Sequence, residues 1–468
     1  MDTQAKFLTG NLFRHISVMS LTASVGLMAV FLVDFVDMIF ISMLGKAELA
    51  AAVGYAGAIL FFTTSFGIGM AISAGALVSR ALGAGETDLA RQRATNALIL
   101  GVIFGAAFAA LVWVNLPVLV ALLGATGETA TLAVHYLRII VPSLPLLLIG
   151  MVGGAILRAH GDARRAMMAT IWGGVVNAVL DPILIFGLDL DLTGAALASV
   201  AARVTIAVTA LLPILRHYGG FIRPSLPGLS ADLGPVLAIA GPAILTQLAT
   251  PLGQAYVTRA MAEFGQEAVA GMAIVARMTP VAFGILFALS GAIGPIIGQN
   301  HGGGRPDRVK RSFSDALLFT AIIVVAVTAV LFALRGPVAD LFGATGVTRQ
   351  LVFLFCGPLA LAFFFNGVIF VANAAFNNLG HPFHSTWINW GRHTLGTIPP
   401  VMLGAAVLGA PGVLIGQAAG GVIFAAIAFV LARRVMAGGI EAGGPGKAAQ
   451  PEPFVREARL FQLFHHRR

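Results

Sequence analysis

The chain has 468 residues, of which 58% are hydrophobic and 10% charged, and its mean hydropathy is +0.91. A soluble domain carries roughly 25% charged residues, so this composition excludes a soluble globular protein and predicts an integral membrane one. The net charge of +9 would suit a nucleic-acid partner, but the basic residues are spread over the ends of apolar segments, and none is expected; the single cysteine, Cys356, excludes an internal disulfide and any cysteine metal cluster.

Apolar runs of about 18 residues or more, long enough to cross a bilayer as helices, recur along nearly the whole chain. Twelve spans are predicted, centred near residues 29, 66, 107, 146, 177, 206, 247, 284, 326, 361, 395 and 423. The fold class expected is an all-α polytopic membrane protein. The first apolar run is a full span and not a cleavable signal pattern. It contains Asp34 and Asp37. A carboxylate near the bilayer centre costs roughly 2.5–3.5 kcal/mol on insertion scales, so such residues mark ion or substrate paths. The two are three apart and share a helix face. Two carboxylates together in low dielectric cannot both ionise cheaply. Such a pair suits uptake and release of a proton or, with oxygen ligands nearby, of a hard cation such as Na+.

Further along, Arg158, Asp162, Arg164 and Arg165 read as a solvated loop cluster. In the fifth span Asn177 and Asp181 are four apart on one face, with Asp181 directly before Pro182. The stretch from Pro213 to Ser230 is rich in turn residues and reads as a linker. In the eleventh span Trp387 and Trp390 suit an interfacial belt, and Arg392, beside His393, is expected to snorkel to the interface. The tail after about residue 437 is Gly/Pro-rich, then basic with Phe and Leu, and is expected to be disordered or to lie on an anionic leaflet. No Walker loop, metal-ligand cluster or nucleophile-base arrangement occurs, so no enzyme and no cofactor is expected.

The chain repeats itself. Gly124-Ala-Thr-Gly127 recurs as Gly343-Ala-Thr-Gly346, and Gly83-Ala-Gly85 with Asp88 recurs as Gly302-Gly-Gly304 with Asp307, each 219 positions on. Gly161 maps on Gly380 at the same offset, and Gly45 on Gly265 at 220. Four matches in register predict two six-helix lobes, 1–212 and 233–436, with a linker at 213–232 and a tail at 437–468. Six spans per half return the chain to its starting side, a parallel repeat of the kind found in alternating-access transporters. The repeat is broken at the intramembrane acids: Asp34 faces Gln254, Asp37 faces Val257 and Asp181 faces Pro400. The coupling-ion site is therefore expected in the first lobe. The segments on the N-terminal side of the spans, with the tail, hold 21 of the 29 basic residues, which places both termini in the cytoplasm of a multi-pass cell-membrane protein.

Several motifs resemble one family. Val36-Asp-Met-Ile-Phe-Ile-Ser-Met-Leu-Gly-Lys-Ala-Glu-Leu-Ala-Ala51 is similar to the first-helix signature of the multidrug and toxic compound extrusion (MATE) transporters. Ala76-Leu-Val-Ser-Arg-Ala-Leu-Gly-Ala-Gly85 and Ile296-Ile-Gly-Gln-Asn-His-Gly-Gly-Gly304 resemble its paired second- and eighth-helix ends. Leu157-Arg-Ala-His-Gly-Asp162 and Asn177-Ala-Val-Leu-Asp-Pro182 resemble its fourth- and fifth-helix motifs. The resemblance covers all but the tail and implies a monomeric antiporter that exports amphipathic, cationic small molecules against H+ or Na+. By motif position, Asp37, Asn177 and Asp181 match the cation site of the DinF-like branch, where Na+ is a possible ligand. Ser199 falls where that site commonly has threonine, and Asp34 where the family often has asparagine. Asn366 and Thr246 fall where another branch has acids. The first helix lacks the family's proline, leaving Gly26 as a place to bend, whereas Pro242 is retained in the seventh. The alternative is a flippase for a lipid or lipid-linked saccharide, which should show a basic central cavity. A receptor or scaffold would leave the one-sided acids unexplained.

Overall fold

The computed structural model describes residues 5–44 and 46–438, so the expectation for the basic tail lies outside the described residues. Among those residues there are helices and no strand. In chain order the long elements are α1 (Leu12–Met43), α2 (Ala47–Gly83), α3 (Thr87–Val114), α4 (Gly127–Ala159), α5 (Ala163–Gly187) and α6 (Asp191–His217), then α7 (Leu226–Ala262), α8 (Gln266–Gly302), α9 (Pro306–Leu341), α10 (Gly346–Asn378), α11 and α12 (Ala410–Gly438). Eleven of these are continuous and apolar enough to cross a membrane.

The predicted eleventh span differs from the expectation. It is two half-helices, Pro382–His393 and Ile398–Leu408, joined by a turn at 394–397. The cause is local. Pro399 and Pro400 have no N–H to give to the carbonyls of Leu395 and Gly396, so the helical ladder stops there. Glycines then let the break and the second half-helix press on α12: a Cβ on Gly396, Gly404, Gly416 or Gly420 would collide with the facing chain. Close backbone packing through small residues is how helices associate where lipid removes the hydrophobic drive.

α1 to α6 form one lobe and α7 to α12 the other. α1 packs on α5 within its own lobe and on α8 across the interface, and α2 packs on both α7 and α8. A hydroxyl of α2, Ser73 Oγ, donates to the Val236 carbonyl of α7 at 3.0 Å. α1 is one unbroken helix, and Gly26 does not bend it: a Cβ there would lie 3.3 Å from Met167 of α5, so glycine serves close approach. The break in helical geometry falls instead in α8, at Phe283 (φ −110°, ψ 18°), three residues after Pro280.

At the end that bears the N-terminus the lobes are shut. The final turns of α2 and α8 cross with backbone against backbone, at Gly83 over Gln299 and at Gly302 over Arg80. Residues 5–10 fill the seam. The backbone N–H of Phe7 donates to Gln299 Oε1 at 2.8 Å, and the Phe7 carbonyl accepts from Arg308 at 2.8 Å and from Asn300 at 3.1 Å. Lys6 Nζ donates to the Gly161 carbonyl of the first lobe at 3.0 Å, and the Phe7 ring is fully buried.

Next to that seam, Asp162 caps α5. It accepts from the Arg165 backbone at 3.0 Å, from Arg165 Nη1 at 2.6 Å and from the Tyr218 hydroxyl at 2.7 Å. Burial pushes its carboxyl up, but these donors outweigh burial and hold it below the usual carboxylate range. Burial and the Asp162 carboxylate push the Tyr218 phenol up to about 12. The folded-state value of Asp162 is the lower one, so its stabilisation is present above the unfolded value and lost as pH falls through the folded one. Asp162→Asn should cost about 1.5–3 kcal/mol at neutral pH, the range for hydrogen bonds to a charged group. Thermal unfolding followed from pH 7 to pH 3 should show the difference from the parent protein shrinking as the parent loses its carboxylate.

Candidate functional site

Within the first lobe the structure brings together three of the five residues singled out from sequence. Asn177 Nδ2 donates to Asp37 Oδ1 at 3.0 Å and to Asp181 Oδ2 at 2.7 Å, joining α1 to α5. This orientation places amide hydrogens, not the amide oxygen, towards the two carboxylates. Asn177 is 4% exposed and Asp181 fully buried. Asp37 also lies within hydrogen-bonding reach of Asp181, a contact two ionised carboxylates cannot make. Asp181 Oδ1 is buried with no donor. Two unit charges about 4 Å apart repel by about 4 kcal/mol at an effective dielectric of 20. A proton or a cation between them removes that cost.

The backbone prepares the position. Pro182 leaves the carbonyl of Ala178 without its helical partner, and α5 widens into a π turn over Ile183–Gly187. Such turns are frequent at functional sites.

The expected pairing of Asp34 with Asp37 is not what closes. Asp34 is exposed, feels the charge of Asp37 and makes no hydrogen bond among the described residues. Ser199 on α6 reaches the site through Tyr136, whose hydroxyl lies within hydrogen-bonding reach of it, with the charges of Asp37, Asp181 and Arg203 around the ring. Tyr136 and Arg203 were not singled out from sequence. Arg203 donates to the Ile140 carbonyl at 3.1 Å and to Ser143 Oγ at 2.8 Å, which ties α6 to the turn in α4. The one signal available was the depth of Arg203, twelve residues into its span.

Two arginines depart from their expected places. Arg158 belongs to helix and not to a solvated loop: its side chain runs back over Gly154, with Nη1 3.4 Å from where a Cβ there would sit, and faces Gly291 of α8 across the lobe interface. Among the described residues it has no hydrogen bond or ion pair. Arg392 does not snorkel; it donates to Asn366 Oδ1 of α10. Of the two tryptophans, Trp387 is 73% exposed as an interfacial belt requires, whereas Trp390 donates to the Leu245 carbonyl of α7 at 2.9 Å. Cavities of about 300 Å³ lie at each end of the molecule, one by Arg80, Arg93 and His301, the other by Lys46, His135 and Asp191; neither includes Asp37 or Asp181 in its walls.

The MatE family model matches the chain twice, over residues 23–183 and 242–402. The second match begins and ends 219 positions after the first (242 against 23, 402 against 183), the offset of the glycine motifs. The chain is 28% identical over 444 residues to the FAD transporter of Shewanella oneidensis, covering 93% of this chain and 97% of that one. It is 24% identical over 336 residues to the multidrug export protein MepA of Staphylococcus aureus, covering 70% and 73%. Its fold superposes on the crystal structure of a mutant of the Vibrio cholerae MATE transporter VcmN with a TM-score of 0.86 at 25% identity, over 91% of this chain and 97% of that one. A doubled family match and a twelve-helix two-lobed fold lead to one conclusion: the chain belongs to the MatE family, whose members are membrane transporters and not enzymes.

Proposed function

We propose that this transporter is an antiporter of the cell membrane that exports amphipathic organic cations in exchange for protons by alternating access. It works as a monomer with both termini in the cytoplasm, which the distribution of basic residues supports. The observation that carries the reading is the Asp37–Asn177–Asp181 cluster. A buried carboxylate pair within bonding reach has to hold a positive charge, and Asn177 turns its donors, not its oxygen, towards the pair. A sodium ion there would meet the amide hydrogens; a proton on one carboxyl would not. Protonation also removes a negative charge one turn from Asp34, the accessible acid on which a cationic cargo can settle. Cargo and proton then compete, and competition is what exchange requires.

The test uses the purified full chain in sealed vesicles. Export of a cationic dye should follow an imposed pH gradient and ignore an imposed Na+ gradient. Dye movement driven by Na+ alone would replace the proton with Na+, and movement with neither gradient would end the antiport reading. One observation favours the flippase alternative, the unpaired Arg158 between the lobes, since a phosphate headgroup needs a basic surface. Transfer of a fluorescent phospholipid between leaflets in the same vesicles, at a rate comparable to dye export, would favour that reading instead.

A further inference from the structure

The second lobe carries a charge that no carboxylate answers. Residues 233–262, 268–306 and 341–440 contain no Asp or Glu. Yet Arg392 lies ten residues into α11, roughly 15 Å along its axis at 1.5 Å per residue, directly before the break that divides the helix. Its hydrogen-bond partner among the described residues is the neutral amide of Asn366. The break in α11 leaves Arg392 at the end of a half-helix, whose carbonyls supply only about half a negative charge. A guanidinium has five N–H donors; this side chain is half-buried, and among the described residues one hydrogen bond uses them. Ionised groups inside membrane spans pair with one another or line a substrate path; among the described residues no carboxylate pairs with this one.

An aromatic wall stands beside it. Phe363, Asn366 and Phe370 follow at three and four residues along α10 and so share a face. Phe287 of α8 packs on that face, its ring centroid 5.3 Å from Phe370 and 6.1 Å from Phe363. Ordinary core packing accounts for Phe283, which is fully buried and stacked on Phe363. It does not account for Phe287, 36% exposed, or for the half-buried Phe370. Aromatic rings offer planar groups a stacking surface, and a guanidinium offers a carboxylate or phosphate a two-pronged bond.

We infer that α8, α10 and α11 form a subsite for planar aromatic anions, with the ring system on Phe287 and Phe370 and its phosphate or carboxylate on Arg392. The inference rests on the reading of the chain as an exporter of organic compounds and widens its cargo beyond cations. The N-lobe carboxylates handle the coupling ion, and the second lobe selects a negatively charged ring.

Equilibrium binding of flavin mononucleotide to the full chain in phosphatidylcholine nanodiscs, read by quenching of flavin fluorescence, tests the subsite without any gradient. Wild-type protein should bind it saturably. Arg392→Gln should weaken binding about 10- to 100-fold, the range for a hydrogen-bonded charge. Arg392→Lys, which keeps the charge but loses the fork, should fall between. Phe370→Leu, which leaves the charge alone, should weaken it about 5-fold or more. Binding of ethidium should be unchanged by all three. No saturable flavin binding, equal loss of ethidium, or wild-type affinity in Arg392→Gln would overturn the inference. So would displacement of the flavin by phosphatidylglycerol added to the nanodiscs, which would make a lipid phosphate the occupant. Gradient-driven ethidium export tests the antiport reading separately, so the failure of either is visible without the other.

Discussion

Asp37→Asn is expected to uncouple the transporter while leaving it folded. Gradient-driven dye export should fall by roughly two orders of magnitude, the upper end of ordinary ligand coupling. The geometry says why stability should survive. Asn177 still finds an oxygen on residue 37, and Asp181 loses the rival carboxylate within its reach. One repulsive term disappears and no hydrogen bond is forfeited, so the thermal midpoint should stay level or rise. A damaged fold would lower export and midpoint together. Asp37→Glu, which keeps the titratable group but moves it by a methylene, should restore part of the export. Undiminished export by Asp37→Asn would remove this cluster from the coupling pathway.

Adding a single methyl group where α2 crosses α8 should open the end that bears the N-terminus. A Cβ on Gly83 would stand 2.7 Å from the carbonyl carbon of Gln299, and one on Gly302 would stand 2.8 Å from that of Arg80. Both obstacles are backbone and cannot swing aside. Overpacking of this kind costs about 1–3 kcal/mol. Here the helices can escape the cost by parting, so Gly302→Ala should raise the open population roughly 5- to 150-fold. Ser79 sits fully buried at the crossing. Labelling of Ser79→Cys by a membrane-impermeant maleimide should therefore accelerate by that factor, with little background because the native Cys356 is buried. An unchanged rate would mean that the lobes do not separate along this line.

The doubled architecture was legible because the repeated glycines are physically forced. Gly85 and Gly304, Gly124 and Gly343, Gly127 and Gly346, and Gly161 and Gly380 all have positive φ, where a side chain is strained. Gly83 and Gly302 stand at the same offset because each lets the partner backbone in. The site was half legible. Depth alone flagged Asp34, Asp37 and Asp181, and the four-residue spacing put Asn177 with Asp181. Three-residue spacing also put Asp34 with Asp37, yet residues three apart are still rotated by about 60° around a helix. That rotation leaves one carboxylate facing α5 and the other exposed. Arg158 was misjudged because a position at a helix end does not say whether a long side chain runs outward or back along its own helix. The break in α11 was hidden because hydropathy averages over Gly391, Gly396, Pro399 and Pro400.

The pinning of Phe7 between the lobes has a practical consequence for anyone handling this protein. Phe7 is stitched by main-chain atoms to Gln299, Asn300 and Arg308 on one side, and its neighbour Lys6 by its side chain to Gly161 on the other. An affinity handle fused ahead of them would tug on the seam that the proposed alternating access opens and closes, whereas among the described residues the last turn of α12, ending at Gly438, makes no such bond. Purification through the carboxyl end is therefore the route that puts no load on these bonds.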